Sequence, residues 1–124
     1  MEETVEKIFY VLTCAGENPE KASMPFALGN AALAMDIPAT ICLQGNGVYL
    51  AQKGYADHVL PGGGFPPIKK LILDFVEQGG KIWVCVPCIK ERNIAVEDLI
   101  EGSETTAAAK VNLEALQSRA VFVY

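Results

Sequence analysis

Two cysteines three residues apart, Cys85 and Cys88, close the run Lys81-Ile82-Trp83-Val84-Cys85-Val86-Pro87-Cys88 and stand just before Lys90 and Arg92. The run reads as a buried strand that stops at Pro87, a residue that cannot donate to a sheet ladder but is tolerated in the first turn of a helix. A strand-to-helix switch at this point leaves Cys85 at the strand's end and puts Cys88 in the first turn. Unpaired backbone N–H groups and the positive end of the helix dipole favour a thiolate there, and Lys90 and Arg92 add positive charge close by in sequence. The chemistry such a pair can do is that of nucleophilic sulfur.

Blander readings compete. Cysteine is among the most buried residue types, and a single one in a strand is usually a small hydrophobe. Cys-x-x-Cys is also half of a zinc site and a redox dithiol motif. A structural zinc wants four ligands, and the remaining candidates, Cys14, Cys42 and His58, offer no second closely spaced pair. No metal and no cofactor are expected. A thioredoxin-like dithiol would follow an early strand, whereas this one follows a late strand in the middle of an alternating chain.

The elements that must position the thiols are legible as alternating patterns. Lys7 to Thr13 is a nearly continuous β-branched and aromatic run, the pattern of a strand covered on both faces. Asn18 fits an N-cap and Pro19 a first helical position, so a helix is expected to about Met35, with a kink near Lys21 to Pro25 or a restart at Ser23. Its small residues suit close approach to the sheet or to another subunit. Ala39 to Gln44 is a second buried strand with Cys42 in its middle, where a structural role is the default. Gly45-Asn46-Gly47 turns the chain, and Val48 to Lys53 reads as a short helix stopped by Gly54.

Pro61 to Pro67 is a glycine- and proline-rich loop, either a lid or a connector. Ile68, Leu71, Ile72, Phe75 and Val76 then form a single apolar helical stripe that ends at Gly79-Gly80. After the Cys85/Cys88 segment, a fourth strand is expected around Leu99-Ile100. A last helix capped by Thr105 or Thr106 runs to about Gln117, and Ala120 to Tyr124 forms a terminal strand.

Strands separated by helices at this spacing imply right-handed crossovers and a mostly parallel sheet between helix layers. In such sheets ligands collect beyond the carboxyl ends of the strands. Cys14 follows the first strand, Gly45, Asn46 and Gly47 the second, and Cys85 and Cys88 the third, so these residues form a candidate pocket at one edge. The Gly-x-Gly alone is a weak signal for phosphate, because the third glycine and the distal acid of a dinucleotide site are missing.

Composition narrows the classes. The chain of 124 residues suits one domain, residues 1–124, and its formal charge of −5 with no basic cluster beyond Lys69-Lys70 argues against nucleic acid and anionic membranes as partners. Its 51% hydrophobic content is rich for so small a chain and points to a homo-oligomer. The first residues are acidic where a signal peptide would be basic, and no apolar run approaches the about 18 residues that span a bilayer. A cytoplasmic location is expected, with the cysteines as reduced thiols.

Cys85-x-x-Cys88-x-x-x-Arg92-Asn93-Ile94 after a third strand, followed by Glu97-Asp98-Leu99-Ile100-Glu101-Gly102, resembles the DsrE/DsrF-like sulfur-transfer family. The Asn-Pro helix start, the Gly-Val after the second strand and the terminal strand match as well, so the resemblance covers nearly all of the chain. It implies a three-layer α/β/α domain with a five-stranded mostly parallel sheet, ordered fourth, third, second, first, fifth, and assembled as trimers or hexamers. It also implies that a cysteine after the third strand carries a persulfide and passes it between donor and acceptor proteins. Measured from Arg92, that cysteine is Cys85 or Cys88, with Lys90 and Arg92 stabilising the anion. Asn93 replaces the family's usual glycine and is able to adopt the same left-handed conformation. The alternatives are a small-ligand-binding or regulatory homo-oligomer without catalysis, and a dithiol redox sensor.

Overall fold

Runs of β-branched and aromatic residues build the centre of the molecule. In the computed structural model, which describes residues 5–124, β1 (Val5–Leu12), β2 (Ala39–Leu43), β3 (Lys81–Cys85), β4 (Ser103–Thr106) and β5 (Ser118–Val123) pair in parallel in the order β4-β3-β2-β1-β5. The first four residues of the acidic N-terminus, on which the reading of the leader partly rests, lie outside the described residues.

Successive strands from β1 to β4 step in one direction across the sheet, so right-handed connections place α1 (Pro19–Ala34) and α2 (Ile68–Glu77) on the same face. The return from β4 to β5 runs through α4 (Ala108–Gln117) on the other face. Alternation along the strands divides the core accordingly. Tyr10, Leu12, Ile41, Leu43, Ile82 and Val84 pack with Phe26 and Phe75 from α1 and α2, whereas Phe9, Val11, Cys42 and Trp83 meet Val111 and Ala115 of α4. Phe26 and Phe75 meet edge to face at 5.8 Å between ring centres. Gly29 permits this, since a Cβ there would lie 2.7 Å from the Phe75 ring.

Where the elements differ from expectation, local hydrogen bonds give the reason. Helix α1 begins at the Asn18 cap, whose side chain accepts from the Lys21 amide at 3.2 Å, and it continues without restarting at Ser23. The Ser23 hydroxyl instead donates to the Pro19 carbonyl at 2.7 Å. Chain reversal after β2 is a 3₁₀ helix that starts earlier than expected, Gly45–Ala51, and a second one follows at Tyr55–His58 after Gly54 (φ +86°). Leu99 and Ile100 do not form β4. The Ile100 amide donates to Ala51 at 2.8 Å and Leu99 pairs with Gln52, so this apolar pair plugs the loop after β2.

The fourth strand lies later, in the polar run Ser103–Thr106, and so neither Thr105 nor Thr106 caps α4; Ala107 stands at that cap, with no side-chain hydrogen bond. The loop from Pro61 to Pro67 has no regular structure and leans on the start of α1, where a Cβ on Gly63 would overlap Glu20. Among the described residues no helix is long and apolar enough to cross a membrane.

Candidate functional site

Cys85 is the last residue of β3, and the next residue begins α3 (Val86–Glu91), with Pro87 in the first turn. One helical turn brings Cys88 back over the strand end. The two Sγ atoms lie 2.9 Å apart as free, half-buried thiols. The Gly45 amide, at the end of β2, donates to Cys88 Sγ at 3.2 Å. Gly45 holds a left-handed φ of +52°, which a side chain would strain. Gly47 fixes this turn from behind, because a Cβ there would overlap the Leu12 carbonyl at the end of β1. Helix α3 is only six residues long, so the donor at the sulfur is this amide from a neighbouring strand more than a dipole along α3.

Arg92 works on the backbone around the thiols. Its Nη1 donates to the Cys88 carbonyl at 3.1 Å, while Nε and Nη2 donate to Asn46 Oδ1 at 3.2 and 3.0 Å. Asn46 Nδ2 in turn donates to Glu17 Oε2 at 3.0 Å, and Glu17 Oε1 accepts from the Ala15 amide at 2.7 Å. This chain of polar contacts ties the loop after β1, the turn after β2 and α3 together. Lys90 points elsewhere. It is exposed, and its side chain makes no hydrogen bond or ion pair among the described residues.

The thiols divide by environment. Burial pushes the Cys42 thiol up to about 12. Burial also raises Cys14, which is 9% exposed and packs in the core, with the Glu17 carboxylate adding to the effect. Cys85 is raised first by burial and then by its contact with the Cys88 thiol, against the lowering effects of the Cys88 backbone N–H and of Arg92. Of the expected pocket residues, Gly45 reaches the thiol pair directly, Asn46 acts through Arg92, and Cys14 and Gly47 serve packing.

A cavity of about 440 Å³ opens beside the pair, lined by Thr13, Gln44, Gly45, Cys85, Cys88 and Thr106 among others, with the first turn of α4 on its far side. Its walls therefore come from the carboxyl ends of β1, β2, β3 and β4. Thr106 is the register partner of Cys85, so both side chains leave the sheet on one face. It is 4% exposed, and its hydroxyl has no hydrogen-bond partner among the described residues. The sequence reading missed it by treating this threonine as a helix cap; the polar Ser-Glu-Thr-Thr run before a helix was the available signal.

A second cavity of about 450 Å³ lies between α2 and the loop plugged by Ile100. Leu50, Ile72, Leu73 and Val76 make it apolar, and no thiol reaches it. Among the described residues no group of three or more His, Cys, Asp or Glu is placed to hold a metal ion.

Residues 6–124 match the profile of the DsrE/DsrF-like family. Protein MJ0760 of Methanocaldococcus jannaschii is 35% identical over 104 residues, which are 84% of this chain but only 38% of that protein, so the chain spans little more than a third of that relative. Protein MJ0989 of the same organism is 33% identical over 98 residues, covering 79% of this chain and 82% of its own. Protein MK0008 of Methanopyrus kandleri is 30% identical over 102 residues, 82% of this chain and 80% of that one. Among solved structures, the ychN protein from E. coli superposes with a TM-score of 0.74 at 18% identity, covering 97% of this chain and all (100%) of that one. Protein MTH1491 from Methanobacterium thermoautotrophicum gives 0.69 at 10% identity with the same coverage. At those identities the structural likeness is one of fold.

Proposed function

This chain belongs to the DsrE/DsrF-like family, and from that premise we propose that it handles sulfane sulfur, with Cys88 as the thiol that accepts it. The observation that carries this reading is Cys88 Sγ itself, which receives the Gly45 amide at 3.2 Å beside a cavity at the strands' carboxyl ends. The Cys88 thiolate attacks the outer sulfur of a donor persulfide, R–S–SH, and R–S⁻ leaves. Cys88–S–SH remains, its negative charge when ionised met by the Gly45 N–H. An acceptor thiolate that attacks the terminal sulfur takes it away and returns Cys88 as thiolate. Arg92 is assigned a positioning role through the Cys88 carbonyl, and Lys90 a long-range electrostatic one.

Donor and acceptor are taken to be proteins, and the setting the cytoplasm, where thiols stay reduced. The protomer is taken to form a homo-oligomer, a trimer or hexamer. Among the described residues β5 pairs on one side only, and its Val121 and Val123 are exposed, as are Leu113 and Leu116 of α4. Light scattering should report several subunits, and a monomer at micromolar concentration would remove the assembly.

The test of the sulfur reading is consumption of a low-molecular-weight alkyl persulfide. Wild type strips its outer sulfur and Cys88→Ser falls to the uncatalysed background; equal rates for the two would end the assignment. A second reading, a dithiol redox sensor, draws on the 2.9 Å between the sulfurs. It requires that a sulfur-free oxidant close the pair while no persulfide donor is consumed.

A further inference from the structure

The neighbour of Cys88 does more than crowd it. We infer that Cys85 is a resolving thiol: it attacks Sγ of the persulfide on Cys88, closes a Cys85–Cys88 disulfide and expels the carried sulfur as hydrogen sulfide. This rests on the reading of Cys88 as the loaded residue and adds a second fate for its cargo, taken when no acceptor thiol removes the outer sulfur first.

Three features of the site carry the inference. The Cys85 sulfur lies 2.9 Å from Sγ of Cys88, so the nearest electrophile to it in the loaded site is the inner sulfur of the persulfide. Attack on the outer sulfur would only move the persulfide between the two residues; attack on the inner one releases it. The cavity of about 440 Å³ beside the pair gives the outer sulfur room and an exit. Thr106, the register partner of Cys85, also lines that cavity, and its buried hydroxyl has no partner among the described residues, which leaves an unspent donor in the wall beside the outer sulfur.

The step balances: Cys88–S–SH and Cys85–SH give Cys88–S–S–Cys85 and H₂S. The sulfane sulfur is reduced by two electrons, the two cysteine sulfurs are together oxidised by two, and the Cys85 proton leaves with the sulfide. Burial and the contact with Cys88 hold that proton on Cys85 until the step occurs. A dithiol reductant must then reopen the disulfide before the next turnover.

The experiment is a single turnover with one equivalent of an alkyl persulfide, read by sulfide release and intact mass. Wild type is expected to release one sulfide per chain and to end two hydrogens lighter. Cys85→Ser is expected to end one sulfur heavier and to release none. If Cys85→Ser loads but wild type keeps the added sulfur, or if both release sulfide equally, the resolving role is overturned while Cys88 remains the acceptor. If neither chain consumes the donor, the acceptor reading falls and the resolving role falls with it.

Discussion

Cys42 and the Cys85/Cys88 pair hold the same functional group on neighbouring elements and in opposite settings. Cys42 sits in the middle of β2, fully buried under α4 against Phe9 and Trp83, with its thiol pushed up to about 12. Cys85 and Cys88 sit where β3 ends, half-buried at a cavity, with a backbone amide on one sulfur. The sheet thus decides which cysteine is packing and which is chemistry. In mid-strand every backbone donor is spent on the ladder, whereas past the carboxyl end of β2 the Gly45 amide is free to face a sulfur.

The largest effect expected from this contrast is in alkylation. A short pulse of iodoacetamide at neutral pH should label the Cys85/Cys88 peptide and leave Cys42 untouched until the protein is unfolded, as read by peptide mass mapping. Cys14, buried and raised, should follow Cys42. Labelling of Cys42 in the folded protein at a rate like that of the pair would erase the distinction.

A smaller effect is expected at Thr106. An unsatisfied buried hydroxyl costs about 1–3 kcal/mol, so Thr106→Val should raise the melting temperature rather than lower it. The same substitution should slow sulfide release severalfold, because the cavity loses its spare donor. A variant that is more stable and equally fast would leave the hydroxyl without a role.

The smallest effect is on the pH dependence of stability. The Cys42 pKa rises from its ordinary 9.0 in the unfolded chain to about 12 in the fold, so between these values the unfolded chain has released a proton that the fold retains. Stability is therefore full below about pH 9 and is lost as pH rises toward 12. Cys14, Cys85 and Tyr10 are raised as well and act in the same sense. Urea midpoints at pH 8 and pH 10 should differ less in Cys42→Val than in wild type.

Much of this arrangement was legible in the sequence. The first three strands and α2 are long apolar patterns, and tertiary contacts only confirmed their periods. The fourth strand was not, because an edge strand needs few apolar residues and Ser103–Thr106 has almost none, while Leu99 and Ile100 imitate a strand as they plug a loop. Misplacing β4 hid Thr106. Asn93 does take the left-handed conformation expected of it, at φ +55°.

The placement of Arg92 near the thiols was readable from spacing, but not its target. Four residues on along one turn, its guanidinium meets the Cys88 carbonyl at 3.1 Å and not the sulfur. The approach of the two sulfurs was not readable at all. With Pro87 in the first turn of α3, the switch from strand to helix is tight enough that the two side chains converge.

The central claim is that Cys88 is where sulfur enters. Cys85→Ser treated with one equivalent of alkyl persulfide, blocked with alkylating agent and mapped by peptide mass spectrometry tests it directly. The account predicts one added sulfur, on Cys88, removed by a thiol reductant. An added sulfur on Cys14 or Cys42, or none on any cysteine, would contradict it.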